Sequence, residues 1–241
     1  MSPHTLFISD LHLCEKEPQV TRLFQHFVQH IAPGADALYI LGDLFEHWAG
    51  DDDLDEPFHQ PIVSALHGLA ANGTRVYLMH GNRDLLMGKT LTTACGATLL
   101  SDPTLLDLYG TPTLISHGDA LCTDDAAYQA FRTQVRDSNW QRTFLARPLA
   151  ERKTFIEGLR SQSEQEKQTK NMDIMDVNAG AVAALLRKYN YPRLIHGHTH
   201  RPKLHRHQVD GHLCERWVLG DWHTTGNALR CDIAGCQTIS F

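Results

Sequence analysis

Residues of metal-binding type fall in five short clusters: Asp10-Leu11-His12, Gly42-Asp43, Gly81-Asn82-Arg83-Asp84, His117-Gly118-Asp119 and His196-Gly197-His198-Thr199-His200. The candidate ligands are Asp10, His12, Asp43, Asn82, His117, His198 and His200. Imidazole suits Zn, Mn or Fe, whereas carboxylate and amide oxygens favour harder ions such as Mn and Mg. One catalytic ion needs about three protein ligands plus water, so this set exceeds what a single ion requires. Two ions about 3.5–4 Å apart, sharing a bridging carboxylate, would use them all. Asp43 is central in the order and is the natural bridge. A lone Asp-x-His also suits a surface turn or a capping aspartate; five such clusters together do not.

The elements that must position these clusters are legible beside them. Thr5–Ser9, Leu38–Leu41, Val76–Met79 and Thr113–Ser116 are short, mostly apolar or β-branched runs, each ending just before a cluster, and the shorter Arg193-Leu194-Ile195 precedes the fifth. Such runs predict buried parallel strands. Ligands in open α/β sheets gather outside the carboxyl ends of such strands, so five ligand-bearing strand ends predict one site. Gln19–Ile31 carries apolar residues at helical spacing and stops at Pro33-Gly34. Ile62–Ala71 repeats the pattern before Asn72-Gly73-Thr74, so the opening reads β-α-β-α-β. Ala179–Tyr189 predicts another helix ahead of Pro192. Trp217–Leu219, Ala228–Ile233 and Thr238–Phe241 predict short antiparallel strands at the end.

The composition is that of an ordinary globular chain, with 241 residues, 42% hydrophobic and 21% charged. The start, Met1-Ser2-Pro3-His4, leads into a strand without the basic and apolar regions of a signal peptide. No apolar run approaches the ~18 residues of a membrane span. The six cysteines contain no C-x-x-C pair and are expected to be reduced.

One stretch, 124–173, has no strand-like run and predicts a helical insertion. Ala130–Lys170 holds nine Lys/Arg against five Asp/Glu, a local +4 in a chain that carries −6. Its basic residues interleave with Phe131, Trp140, Phe144, Leu145, Leu149, Phe155, Ile156 and Leu159. Basic-plus-aromatic helical sequence suits an acidic, greasy partner or a membrane surface. An ordinary helical hairpin with solvated charges fits the composition equally well.

The series D-x-H, G-D, G-N, H-G-D and G-H-x-H, from Asp10 to His200, resembles the calcineurin-like metallophosphoesterases. The resemblance implies an α/β fold, the two-sheet α/β/β/α sandwich, with a plain doubly wound sheet as the alternative. It implies one ion held by Asp10, His12, Asp43 and His200, and another by Asp43, Asn82, His117 and His198. His196 falls outside the pattern, as a residue behind the ligands or at a strand end. Many phosphatases of this family carry G-N-H-[DE], whose histidine protonates the leaving oxygen. Here Arg83 stands instead, and a guanidinium cannot be a general acid at neutral pH, its pKa being above ~12. Its fixed fork of donors suits phosphate oxygens. A serine or sugar alkoxide is a poor leaving group without a proton, whereas a phosphomonoester, with a second pKa of about 6, leaves readily once its charge is countered. Arg83 therefore points away from monoester cleavage and towards cleavage of a pyrophosphate.

The insertion and Gly81-Asn82-Arg83-Asp84 together narrow the resemblance. With Leu38–Glu46, Leu121–Ala126, Ile174–Asn178 and His196–Pro202, they make the chain similar to the UDP-2,3-diacylglucosamine pyrophosphohydrolase family of bacterial lipid A biosynthesis. That implies hydrolysis of UDP-2,3-diacylglucosamine to UMP and 2,3-diacylglucosamine 1-phosphate, with two Mn²⁺ ions per chain. It also implies peripheral attachment to the cytoplasmic face of the inner membrane and a helical insertion forming a lid over the acyl chains. Substrate contacts fall on Asn82, Arg83, Asp125, Ser163, Lys167, Lys170 and His198, and catalytic roles on Asn82 and Arg83. Lys167 replaces an amide of the family. No nucleic acid and no obligate protein partner is implied. The competing reading is a nucleotide pyrophosphatase or phosphodiesterase acting on a soluble substrate. Asp84 either orients a ligand histidine or caps the next helix, and His223 either approaches the site or is structural.

Overall fold

A computed structural model describes residues 2–169 and 176–241, and for 162–169 the backbone alone. The predicted strands form where the apolar runs stand: β1 (Thr5–Ile8), β2 (Ala37–Ile40), β3 (Arg75–Met79), and, in a second sheet, β6 (Thr111–Ser116) and β7 (Arg193–His196). Between them lie α1 (Pro18–His26), α2 (His59–Ala71), α3 (Lys89–Cys95), β4 (Ala97–Leu100) and β5 (Thr104–Leu108). The first helix continues as a π turn over Phe27–Ile31, and Gly34 leaves it with a positive φ of 85°.

After β6 come α4 (Ala126–Val135), α5 (Ser138–Leu145), α6 (Leu149–Thr169) and α7 (Ala179–Lys188). The chain closes with β8 (Lys203–Val209), β9 (His212–Val218), β10 (Asn227–Asp232) and β11 (Gly235–Ser240). A six-stranded sheet runs β11-β10-β1-β2-β3-β4 and a five-stranded sheet β5-β6-β7-β9-β8. In the first, β1 to β4 are parallel; in the second, β6, β7 and β9 are parallel between antiparallel edges.

The near-continuous apolar strands follow from burial on both faces. Leu6, Ile8, Leu38, Ile40, Val76 and Leu78 pack in one core with Val20, Phe24, Ile62 and Leu66 of α1 and α2. Their alternates Phe7, Leu41 and Met79 join Ile115, Ile195 and Leu229 in a second core between the sheets. Val182 and Leu186 of α7 cover Leu114 and Leu194 on the far side. The layers are therefore helix, sheet, sheet, helix, and the doubly wound alternative is set aside.

Several features differ from the sequence reading. Strand β8, Lys-Leu-His-Arg-His-Gln-Val, is an edge strand whose side chains are largely polar, so no apolar pattern marks it. The strand around Trp217 begins at His212 and pairs parallel with β7 on one side and antiparallel with β8 on the other. Among the described residues the insertion holds three helices, α4, α5 and α6. Cys231 and Cys236 are disulfide-bonded, correcting the expectation of six reduced cysteines. They stand directly opposite in the β10–β11 register, with Cα atoms 4.1 Å apart. Cys14, Cys95, Cys122 and Cys214 form no disulfide among the described residues. Among the described residues, no helix is long and apolar enough to cross a membrane.

A candidate dinuclear metal centre

All five clusters meet at the carboxyl ends of β1, β2, β3, β6 and β7. Backbone bonds fasten one strand end to the next. Asp10 N donates to Gly42 O at 3.1 Å and His12 N to Asp43 O at 3.0 Å, while Gly197 N donates to His117 O at 2.9 Å. Asp10, His12, Asp43, His198 and His200 all adopt positive φ, between 51° and 67°. Left-handed backbone costs an L-residue about 1–2 kcal/mol, and such strain persists where surrounding structure enforces it, commonly at functional sites. Two glycines allow the closest approach. Gly42, at φ 92°, lies against Gly81 so that a Cβ on it would sit 2.6 Å from Gly81 Cα.

The side chains form two groups, Asp10–His12–His200 and Asp43–His117–His198, each with one nitrogen or oxygen per residue converging on a common point. Asp43 Oδ2 stands 3.9 Å from both His12 Nε2 and His117 Nε2, the position a bridging carboxylate requires. Its Oδ1 accepts from Arg83 N at 2.8 Å. Asn82 Oδ1 lies 3.1 Å from His117 Nε2. His117 Nδ1 donates to Leu41 O at 2.9 Å, which leaves the Nε2 lone pair facing two oxygens. His12 Nε2 and His200 Nε2 face each other at 3.4 Å, and the buried Asp10 Oδ1 stands 3.3 Å from His200 Nε2. Imidazole nitrogens and carboxylate and amide oxygens converging in this way fit a pair of cations between them.

The electrostatics agree. Burial opposes charge on His117, but the carboxylates of Asp43, Asp119 and Asp10 outweigh it and raise its pKa to about 9. His200 is raised to about 10, its own burial overcome by Asp10 and Asp221. His198 is lowered to about 4 by burial and by His117, so it stays neutral as a ligand imidazole must.

Residues behind the ligands are what the sequence reading missed. Glu46 Oε2 lies 3.0 Å from His12 Nδ1, and Asp221 Oδ2 lies 2.9 Å from His200 Nδ1. His223 reaches the centre only through Asp221, at 2.8 Å, and is itself exposed. Carboxylates in such positions hold ligand imidazoles in one tautomer. Asp84 takes neither of the roles expected of it. Its Oδ1 accepts from Gly81 N (2.8 Å) and Asp43 N (3.3 Å), and its Oδ2 from Leu44 N (2.8 Å) and Phe45 N (3.4 Å), stapling two ligand loops together. Burial and the neighbouring Asp43 push its carboxyl up to about 7. His196 is a buried strand-end histidine. Its Nδ1 donates to Gly197 O and its Nε2 accepts from Arg216, with burial lowering it to about 3.

The helices of 126–169 grip the centre from two sides. Asp119 accepts from Tyr128 Oη (3.0 Å), Arg132 Nε (2.9 Å) and Arg136 (3.1 Å), and the Tyr128 ring stacks on His198 with centroids 5.8 Å apart. On the other side, Arg152 is buried against Asp52 and Ala49 O, Lys153 pairs with Asp53 (2.6 Å), and Arg160 with Glu46 (3.2 Å). Five of the basic residues in this stretch are thus used internally. Their charge holds α4 and α6 to the core, which reduces what is left to face a lipid surface. Trp140, Phe144 and Phe155 stack in sequence, with Leu145 and Phe155 about 40% exposed.

Of the proposed substrate contacts, Asn82, Arg83 and His198 lie at the centre. Arg83 Nε is buried without a hydrogen bond and NH1 stands 3.6 Å from Glu46. Asp125 accepts from Tyr128 N at 3.0 Å as the N-cap of α4. Ser163 and Lys167 fall on α6 where side chains lie outside the described residues, as does Lys170 altogether.

Residues 3–202 match the family model for calcineurin-like phosphoesterases. The chain is similar to three proteins named UDP-2,3-diacylglucosamine hydrolase. That of Aromatoleum aromaticum is 57% identical, covering 95% of this chain and 94% of the relative. That of Xanthomonas axonopodis pathovar citri is 49% identical over 97% of both. That of Aeromonas hydrophila is 48% identical over 94% of both.

Proposed function

We propose that this chain, which belongs to the calcineurin-like phosphoesterase family, hydrolyses the pyrophosphate of UDP-2,3-diacylglucosamine. The products are UMP and 2,3-diacylglucosamine 1-phosphate, a step of lipid A biosynthesis. The observation that carries this is near-full-length identity of 48–57% to hydrolases named for that substrate. The Arg83 guanidinium beside two convergent ligand groups adds the chemical reason.

Asp10, His12, Asp43 and His200 would hold one ion, and Asp43, Asn82, His117 and His198 the other. When bound, such a pair supplies positive charge and a water of lowered pKa. Arg83, whose Nε lacks a partner, binds phosphate oxygens and spreads the charge that develops on them. Water adds to the phosphorus next to uridine, and the bond to the second phosphate breaks. That leaving oxygen belongs to a phosphate, so no general acid is needed at position 83. His198 stays neutral and is held from behind by the Tyr128 ring.

The mixed imidazole, amide and carboxylate set supports Mn²⁺ as the resident ion. The 124–173 insertion is the lid over the acyl chains, with Asp125, Ser163, Lys167 and Lys170 as further substrate contacts. The enzyme works at the cytoplasmic face of the inner membrane, attached peripherally. A diacyl substrate requires access to a bilayer, and Leu145 and Phe155 offer an apolar rim for it.

The test is product analysis on UDP-2,3-diacylglucosamine beside a simple phosphodiester, each with and without Mn²⁺. Mn²⁺-dependent release of UMP from the lipid, far faster than diester cleavage, is expected. Faster turnover of the diester would return the soluble-substrate reading to first place. Leu145→Gln with Phe155→Gln should lower co-sedimentation with phosphatidylglycerol vesicles; unchanged binding would refute the rim.

A further inference from the structure

The far nitrogens of three ligand histidines face a backbone carbonyl and two different carboxylates. His117 donates to a backbone carbonyl, that of Leu41, and His200 faces Asp221, half-exposed and shared with His223. His12 faces Glu46, and Glu46 differs from the other two. It is 7% exposed, and its two oxygens divide their work. Oε2 stands 3.0 Å from His12 Nδ1, while Oε1 faces the Arg83 guanidinium at 3.6 Å and Arg160 Nε of α6 at 3.2 Å. Its backbone is held as well, with Glu46 N donating to Leu13 O at 3.1 Å beside the Leu13–Phe45 bridge.

We infer that Glu46 is a positioning residue that sets His12 for ion binding and Arg83 for phosphate binding, from one buried carboxylate. With the Nδ1 proton directed at Oε2, the lone pair of His12 lies on Nε2. Nε2 is the atom that faces His200 Nε2 at 3.4 Å and Asp43 Oδ2 at 3.9 Å. Without the carboxylate the ring can take the other tautomer or rotate, and the Asp10–His12–His200 group loses a donor. The other oxygen, Oε1, draws the Arg83 fork towards the β2 side of the centre. Glu46 sits behind both residues and touches neither ion nor substrate, so its effect passes through them. This rests on the two-ion reading above.

The test compares Glu46→Gln with Arg160→Gln, using Mn²⁺ titration of the metal-free full chain by calorimetry, thermal unfolding and steady-state kinetics. Glutamine keeps the size of Glu46 but presents an amide with no charge. Glu46→Gln should weaken one of the two Mn²⁺ affinities by about 10–100-fold, the usual effect of losing such a partner, and leave the other. Its KM should rise as Arg83 loosens. Arg160→Gln should keep both affinities, because that residue meets the other oxygen of the carboxylate. Two unchanged affinities in Glu46→Gln, or equal weakening in both variants, would overturn the inference by reducing Glu46 to a strut for α6. If Glu46→Gln loosens one ion while the wild type releases no UMP from UDP-2,3-diacylglucosamine, the positioning role stands and the proposed substrate falls.

Discussion

Adding one methyl group at Gly81 should disable the centre without removing a ligand. A Cβ there would overlap Asp43 Oδ1 and the Asp43 amide nitrogen and would lie 2.7 Å from Asp43 Cγ. Carbon pairs settle at about 3.5–4.0 Å, so the Gly42-Asp43 turn must retreat by about 1 Å. The obstruction is the Asp43 carboxylate together with its own amide nitrogen, and the carboxylate, tied to Arg83 N, cannot clear the backbone nitrogen by swinging aside. Overpacking of this kind costs about 1–3 kcal/mol. Retreat also breaks the bond from Arg83 N to Asp43 Oδ1, a charge-assisted bond contributing about 1.5–3 kcal/mol. The total of about 2.5–6 kcal/mol should lower the melting temperature by about 5–24 °C, at about 2–4 °C per kcal/mol for a chain of this size. Asp43 is the shared position, so both ions should loosen together. Thermal unfolding with and without Mn²⁺, ion stoichiometry and UMP release are the measurements. A Gly81→Ala protein with unchanged melting and two tightly held ions would refute the steric argument and the bridging role of Asp43 with it.

Three further outcomes follow from the same geometry. Asp43→Ala should lose both ions and all activity at any Mn²⁺ concentration, since Oδ2 is equidistant from the two groups; recovery in excess Mn²⁺ would show that it does not bridge. Arg83→Ala should slow UMP release by at least ~10²-fold, the low end for one transition-state donor, with both ions retained on metal analysis; full activity, or ion loss alone, would count against it. The metal-free protein should lose stability as pH rises from about 6.5. His117 and His200 have folded pKa values of about 9 and about 10 against 6.5 unfolded, so their stabilisation is complete below 6.5 and gone above those values. Bound ions require neutral imidazoles, so the melting temperatures of loaded and metal-free protein should diverge with rising pH; parallel curves would refute this.

The sequence by itself determined the strands and the ligands they carry. β1, β2, β3, β6 and β7 are legible because a strand buried on both faces needs an unbroken apolar run. The ligands are legible because strand ends in such sheets open on one crevice. Against the family resemblance, Arg83 reads as a departure from a histidine, and what a guanidinium can do there follows from its type. Edge strand β8 escaped detection, since an edge faces water and its Leu204 and Val209 are outnumbered by polar neighbours. The pairing of Cys231 with Cys236 depends on a hairpin register that spacing does not reveal.

Only the tertiary structure decided what stands behind the ligands. Glu46 and Asp221 look like any other acidic residues in the sequence, because the histidines they serve are placed by other strand ends. Asp84 could be read as a cap or as an orienting carboxylate, and became a staple for four backbone amides only when two loops met around it. The basic insertion shows the same limit. Its charge suggested an anionic surface, but Arg132, Arg136, Arg152, Lys153 and Arg160 turn inward to carboxylates of the core. Composition fixes how much charge a segment carries; the direction that charge faces is set by packing between segments distant in sequence.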